Sequence, residues 1–303
     1  MIVFHHTDMD GRCAAAIMLR KFPDAQLIPY NYWYDPDRSI NRVAKDEAVV
    51  FVDITPTLYN LKLLMDITSD ITIIDHHSSS KKDLINAGLE FPGIQEYDGI
   101  GACELVWKYY IPDKPIPFGI RCIAEYDAWQ RNADNKRFNF GIQTFNTFPT
   151  NGVWDRILRD DTQALNRILD TGAKVLSYLV PYYKRLVRSY SISGYINYRE
   201  ADGSVQQRSA IFLNAPAADS SVFDDAEGSF DVYIRGVFGK NQKWLISITT
   251  NRDDIDVSSF AREFGGGGHA KSSGCSVEDL FDLFSPNKMI DCAELPTSDQ
   301  VHS

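Results

Sequence analysis

The chain has 303 residues, a formal net charge of -10, 44% hydrophobic residues and 24% charged residues. Its length suits two domains, and its composition is that of an ordinary globular protein. The acidity argues against a protein that grips long nucleic acid through many phosphate contacts, which needs a dense basic surface, and no apolar run reaches the eighteen or so residues needed to span a bilayer. The chain opens directly into Ile2-Val3-Phe4 without a basic leader, so the expectation is a cytoplasmic protein with no membrane partner. Part of the negative charge is what a divalent-cation site contributes when counted without its ions.

Ile2-Val3-Phe4 predicts a short strand, followed by the polar turn His5-His6-Thr7-Asp8-Met9-Asp10-Gly11 and an alanine-rich helix from Arg12 to Leu19. His6, Asp8 and Asp10 alternate, so an extended turn projects them to one side, and Gly11 lets the backbone bend sharply. A lone Asp-x-Asp is common at helix N-caps. With a histidine in the same alternation it points to a divalent metal, because mixed imidazole and carboxylate ligands suit manganese, iron or zinc. Residues 26–30 predict a second strand, and Tyr32, Trp33 and Tyr34 form an aromatic loop read chiefly as cover for the core edge, with base stacking as the minor alternative. The third strand, 48–52, ends in Asp53, and a helix over 58–67 follows. Ile71-Thr72-Ile73-Ile74 is a buried strand that ends in Asp75-His76-His77. In open α/β sheets ligands sit beyond the carboxyl ends of the strands. The strand–helix alternation predicts a doubly wound, mainly parallel sheet, on which residues 6–10, 53 and 75–77 converge at one edge.

Further on, 102–110 reads as an amphipathic structural helix, and a helix over 118–126 leads into Asp127. The pattern from Thr162 to about Ser189, interrupted by Pro181, reads as a helix pair linking two domains. After about Ser193 the texture changes to short strands over 194–198, 209–213, 230–238 and 244–248, predicting a smaller α+β domain. A helix over 257–264 stops at Gly265-Gly266-Gly267-Gly268-His269. Four consecutive glycines are costly in backbone entropy, and their amides can form an anion-binding nest; a flexible loop is the bland alternative. The boundaries expected are 1–160 for the first domain, 161–192 for the helical linker, 193–285 for the second domain and 286–303 for a polar tail. Cys13, Cys103, Cys122, Cys275 and Cys292 are odd in number and scattered, with neither zinc spacing nor a disulfide framework, and read as thiols of a reducing compartment.

Together these segments resemble the DHH/DHHA1 phosphoesterase superfamily, which includes nanoRNases, cyclic-dinucleotide phosphodiesterases, RecJ nucleases and manganese pyrophosphatases. His6-Thr7-Asp8-Met9-Asp10-Gly11 is similar to the first motif, Val52-Asp53 to the second, Asp75-His76-His77 to the third, Asp127 to the fourth, and Gly265 to His269 to the substrate-binding motif of the DHHA1 domain. The resemblance covers nearly the whole chain. It implies an α/β fold with an N-terminal DHH domain, a helical linker and a smaller C-terminal α+β DHHA1 domain. The His-x-Asp-x-Asp-Gly form is similar to that of nanoRNase B-like members and archaeal RecJ-like proteins and unlike that of manganese pyrophosphatases, and no third domain or basic channel suggests a RecJ acting on long DNA. Thr249 stands where many DHHA1 domains carry an arginine, with Arg252 or Arg262 as the compensating cation.

The resemblance further implies two divalent ions, manganese ahead of magnesium. His6, Asp8 and Asp127 would hold one, Asp10 and His76 the other, with Asp53 bridging. His77 would touch the scissile phosphate and Asp75 would orient an imidazole; Gly266, Gly267, Gly268, His269 and Arg262 would bind substrate, with Lys271 as a further charge partner. The implied activity is a metal-dependent phosphodiesterase that cuts short oligonucleotides or linear dinucleotides to nucleoside monophosphates, not extended duplex, with homo-oligomerisation left open. The rivals are a cyclic-dinucleotide phosphodiesterase, a 3'-phosphoadenosine 5'-phosphate phosphatase and a non-catalytic nucleotide-binding protein on the same fold.

Overall fold

Four short strands, β1 (Ile2–His5), β2 (Gln26–Pro29), β3 (Val49–Val52) and β4 (Ile71–Ile74), pair in parallel in the order β2-β1-β3-β4. The coordinates are a computed structural model that describes residues 1–31, 39–95, 99–200, 202–216, 219–224, 226 and 229–287. The aromatic loop Tyr32-Trp33-Tyr34, Cys292 and nearly all of the tail lie outside the described residues.

Both faces of the first sheet are covered, which explains why β1 and β3 are apolar at nearly every position. Val3, Val50, Val52 and Ile74 pack on one face against α1 (Met9–Lys21), α4 (Ala102–Tyr110) and α5 (Phe118–Asp127). Ile2, Phe4, Val49, Phe51, Ile71 and Ile73 pack on the other against α2 (Leu58–Met65) and Leu84 of α3 (Ser78–Asn86). The sheet is therefore doubly wound. Its strand order reverses between β1 and β3, and such a switch point opens a crevice at the carboxyl ends of the two strands. Helices α6 (Ala133–Ile142) and α7 (Val153–Ile157) complete this layer.

The segment expected to be a helix pair is one helix, α8 (Thr162–Tyr190), which contains Pro181. A proline inside a helix removes one intrahelical hydrogen bond and bends the axis without necessarily ending it. The chain divides into two compact units, Met1–Leu179 and Val180–Ser303, so the division falls inside α8.

The second unit is a seven-stranded mixed sheet in the order β11-β5-β6-β7-β8-β10-β9. Its strands are β5 (Ser191–Arg199), β6 (Val205–Asn214), β7 (Val232–Phe238), β8 (Trp244–Thr249), β9 (Gly267–Gly268), β10 (Ser272–Val277) and β11 (Ser285–Pro286). Among the described strands of this sheet, only β6 and β7 pair in parallel. Ile234, Ile246, Ile248 and Cys275 pack on one face with Val257, Phe260 and Ala261 of α9 (Val257–Glu263). The four described cysteines are buried free thiols, and no helix among the described residues is long and apolar enough to cross a membrane.

Candidate metal centre

Every side chain singled out in the first unit sits just beyond a strand end or at the end of a helix. Asp8 is the N-cap of α1, its carboxylate accepting the Gly11 amide at 2.9 Å. Gly11 lies within the first turn of that helix, not at a bend. A Cβ there would fall 2.4 Å from the carbonyl oxygen of His6, so glycine is required by close approach of helix and turn. Asp10, which is buried, accepts the amides of Ala102 at 2.6 Å and Cys103 at 2.9 Å. Those are orphan donors at the start of α4, where a carboxylate is stabilised by both hydrogen bonds and the helix dipole. The helix read as merely structural thus anchors a site residue.

Asp53 follows β3 with φ 60°, a left-handed conformation that aspartate adopts more readily than most residues. Its carboxylate is buried, with Oδ1 3.2 Å from His76 Nε2 and Oδ2 3.5 Å from His6 Nδ1, yet neither oxygen has a hydrogen-bond partner in good geometry. His6 Nδ1 is also 2.7 Å from Asp8 Oδ2. His76 Nε2 is 3.2 Å from Asp127 Oδ2 and 3.7 Å from Asp10 Oδ2. Among the described residues of this unit three donor sets result, His6–Asp8–Asp53, Asp10–His76–Asp127 and Asp53–Asp75–His77, each with donor atoms within 4.8 Å of one another, so that Asp53 belongs to two of them. The resemblance groups Asp127 with His6 and Asp8. In the structure α5 instead ends with Asp127 against His76, in the set that contains Asp10.

Within the third set, His77 and Asp75 are bonded to each other. His77 Nδ1 is 2.6 Å from Asp75 Oδ1, which also accepts the His77 amide at 3.2 Å. Thr55 donates its hydroxyl to Asp75 Oδ2 at 2.6 Å. Asp75 is thereby held on both oxygens, and it fixes the tautomer and ring orientation of His77. Sequence reasoning missed Thr55 and the Ala102 and Cys103 amides. Thr55 is visible in the sequence only as a hydroxyl two residues past Asp53, and a backbone amide carries no letter at all.

The protonation pattern is that of a crowded anionic site. Burial and the like charges of Asp53 and Asp127 push Asp10 well above the usual carboxylate range, and burial together with Asp8 raises Asp53. Burial opposes the charge of His6, but Asp8 and Asp53 outweigh it and push His6 up to about 11. His76 is likewise driven well up, Asp127 and Asp53 overcoming its burial. Burial works against both members of the remaining pair, yet His77 holds Asp75 low and Asp75 raises His77. Imidazolium charge therefore balances carboxylates of which Asp10, Asp53 and Asp75 are withdrawn from water. Nitrogen and oxygen donors with an orphaned buried carboxylate at their centre fit manganese, iron, zinc or, less well, magnesium.

In the second unit the glycine run is a loop only over its first half. Gly267 and Gly268 form β9 and pair with Gly274 and Ser273 of β10. A Cβ on Gly266 would fall 2.1 Å from the Gly274 carbonyl oxygen, which accounts for glycine there by backbone packing. His269 donates its backbone amide to Ser272 O at 2.8 Å. Arg252 is committed to Asp254 at 2.8 and 2.7 Å and to Asp231 at 3.0 Å, and Lys271 to Asp253 at 2.7 Å. Arg262 is exposed on α9.

No family model matches the chain. Uncharacterized protein R106 of Acanthamoeba polyphaga mimivirus is 23% identical over 259 residues, covering 83% of this chain and 58% of its own length, so the chain spans little more than half of that relative. Oligoribonuclease NrnB of Bacillus subtilis is 23% identical over 316 aligned positions, covering 93% of this chain and 74% of NrnB. Among solved structures, the DHH domain of a protein from a ribosomal-protein family superposes with a TM-score of 0.58 at 14% identity, over 91% of this chain and 82% of that one. The chain has the fold of the DHH-domain proteins. Its parallel sheet, covering helices and second sheet unit are those the motifs imply.

Proposed function

We propose that the chain is a two-cation phosphodiesterase that hydrolyses short oligonucleotides or linear dinucleotides to nucleoside monophosphates. The observation that carries this reading is the buried carboxylate of Asp53, without a hydrogen bond and facing His6 with one oxygen and His76 with the other. The similarity to an oligoribonuclease supports the substrate class. In this reading His6 and Asp8 hold one cation, Asp10, His76 and Asp127 hold the other, and Asp53 is shared. When bound, such a pair supplies a water acidic enough to attack near neutral pH and neutralises charge on the leaving oxygen.

The chain's own groups do the rest. Asp10, fixed by two amides, and Asp53, fixed by its backbone, hold their oxygens in place before any ion arrives, which limits reorganisation during the reaction. Asp75 keeps His77 protonated and correctly turned, so that its imidazolium stabilises charge on a phosphoryl oxygen. In the second unit, Gly266, Gly267, Gly268 and His269 are proposed as the substrate-gripping element. With Arg252 and Lys271 held by aspartates, neither is assigned to substrate. The test is a manganese-supplemented assay against 5'-phosphorylated dinucleotides, longer RNA and DNA, cyclic dinucleotides, 3'-phosphoadenosine 5'-phosphate and pyrophosphate. Preferential turnover of the linear dinucleotides is expected; a protein that binds manganese yet cleaves none of the panel overturns the reading.

A further inference from the structure

Arg235 lies in the middle of β7, half-buried, and among the described residues no hydrogen bond or ion pair engages its guanidinium. Other basic residues of the same unit are satisfied: Arg252 and Lys271 as above, and Arg208 by Glu200. A guanidinium withdrawn from water without a partner is costly, and buried charges in proteins are normally paired. Burial pulls the Arg235 charge down, and Asp219 and Tyr183 offset this from beyond contact distance.

The register of the sheet shows what surrounds it. One row runs across four strand pairs, Leu213–Arg235–Ser247–Gly274–Gly267, and directly paired residues project from the same face. The opposite face is the one filled by Ile234, Ile246, Ile248 and Cys275 beneath α9. Arg235 therefore stands on the face away from α9, and Arg262, being on α9, belongs to the other side. Leu213 is fully buried and walls the row on the β6 side. On the other side a Cβ on Gly274 would meet nothing within 4 Å except the Ile246 carbonyl oxygen at 3.1 Å, so the space over the β10 end of the row is open.

We infer that Arg235 is an anion-binding residue whose guanidinium, with the Ser247 hydroxyl beside it, takes the terminal phosphate monoester of a nucleotide or short oligonucleotide on the face of the second sheet opposite α9. The identity of the ligand rests on the phosphodiesterase reading; the site itself rests on the unpaired arginine and the open space at the β10 end of its row. A planar fork of N–H donors suits a phosphate monoester better than a neutral group, and such charge-assisted bonds are among the stronger ones available.

The test compares the full-length chain with Arg235→Gln, Arg235→Lys and Ser247→Val. In manganese, KM is measured for a dinucleotide with and without a 5'-phosphate, and turnover for bis(p-nitrophenyl) phosphate. Arg235→Gln is expected to raise KM for the phosphorylated dinucleotide by roughly ten- to a hundredfold, the range of a lost charged hydrogen bond. It should leave the unphosphorylated dinucleotide and the small diester unchanged; Arg235→Lys should recover part of the loss, and Ser247→Val should show a smaller loss of the same kind. An unaltered KM ratio between the two dinucleotides in Arg235→Gln overturns the inference. Should the wild-type chain hydrolyse nothing, the phosphodiesterase reading fails, and equilibrium dialysis of a nucleoside 5'-monophosphate decides the site separately. Binding at least tenfold weaker in Arg235→Gln than in wild type upholds it, and equal or absent binding in both overturns it.

Discussion

Asp53 Oδ1 lies 3.2 Å from His76 Nε2, and the aspartate reaches that position only through a left-handed backbone. Asparagine tolerates the same conformation, so Asp53→Asn removes charge without adding strain. Because burial and Asp8 disfavour the Asp53 carboxylate, the variant should be more stable than the wild type when no ion is present, by about 1 kcal/mol, or roughly 2–4 °C in Tm for a protein of this size. It should also lose manganese-dependent turnover and the rise in Tm that manganese gives the wild type. Thermal melts with and without manganese, alongside an activity assay, check both halves; a variant less stable than the wild type without ions would contradict the electrostatics described.

Cation binding should release protons. His6, at about 11, holds a proton near neutral pH that a metal must displace, and the raised values of His76, Asp10 and Asp53 act in the same direction. For groups with raised values the protonated form persists to higher pH, so affinity for manganese rises with pH and weakens as pH falls. Titration calorimetry in buffers of different ionisation enthalpy should give a net release of at least one proton, and about a tenfold gain in affinity per pH unit for each proton released.

Asp75→Asn should move the alkaline limb of the pH–rate profile to lower pH. Asp75 raises His77, so its loss lets the imidazolium deprotonate earlier. The same change strands the Thr55 hydroxyl bond, at a cost of about 1 kcal/mol in stability. Manganese affinity measured at pH 6.5 should change far less than kcat at pH 8.5. A limb that stays where the wild type has it would remove His77 from the chemistry.

Gly11→Ala should damage the centre from outside it. The new methyl group meets the His6 carbonyl oxygen and must push the first turn of α1, which carries Asp8 and Asp10, away from His6. Overpacking of this kind costs about 1–3 kcal/mol. Weakened manganese binding together with a lower Tm is expected, read by equilibrium dialysis and thermal denaturation.

Much of the first unit is legible in the sequence because its signals are local. A run such as Ile71-Thr72-Ile73-Ile74 declares a buried strand, and Asp75-His76-His77 after it declares the polar end. The convergence of Asp53 on those histidines follows from topology, whereas Asp127 joins them only through the motif order of the superfamily the chain resembles. The pairing of Asp127 with His76 and Asp10 follows from neither, because α5 approaches from a distant stretch of chain whose angle of entry has no local signature. The glycine run is ambiguous for a related reason. Gly266 is required by contact with the β10 backbone and Gly265, at φ 71°, by its turn, and glycines of the two kinds look identical in sequence. Pro181 reads as a break because sequence alone does not reveal that the rest of a 29-residue helix outweighs one missing bond.

Asp10 has one further consequence. Both of its oxygens are already tethered, to the Ala102 and Cys103 amides at 2.6 and 2.9 Å. An arriving ion cannot draw this carboxylate toward itself as it can draw a mobile surface acid, so one wall of the cage keeps its dimensions. On the two-cation reading, calcium, which asks for longer bonds and more oxygens, should bind more weakly than manganese, because this wall would resist widening.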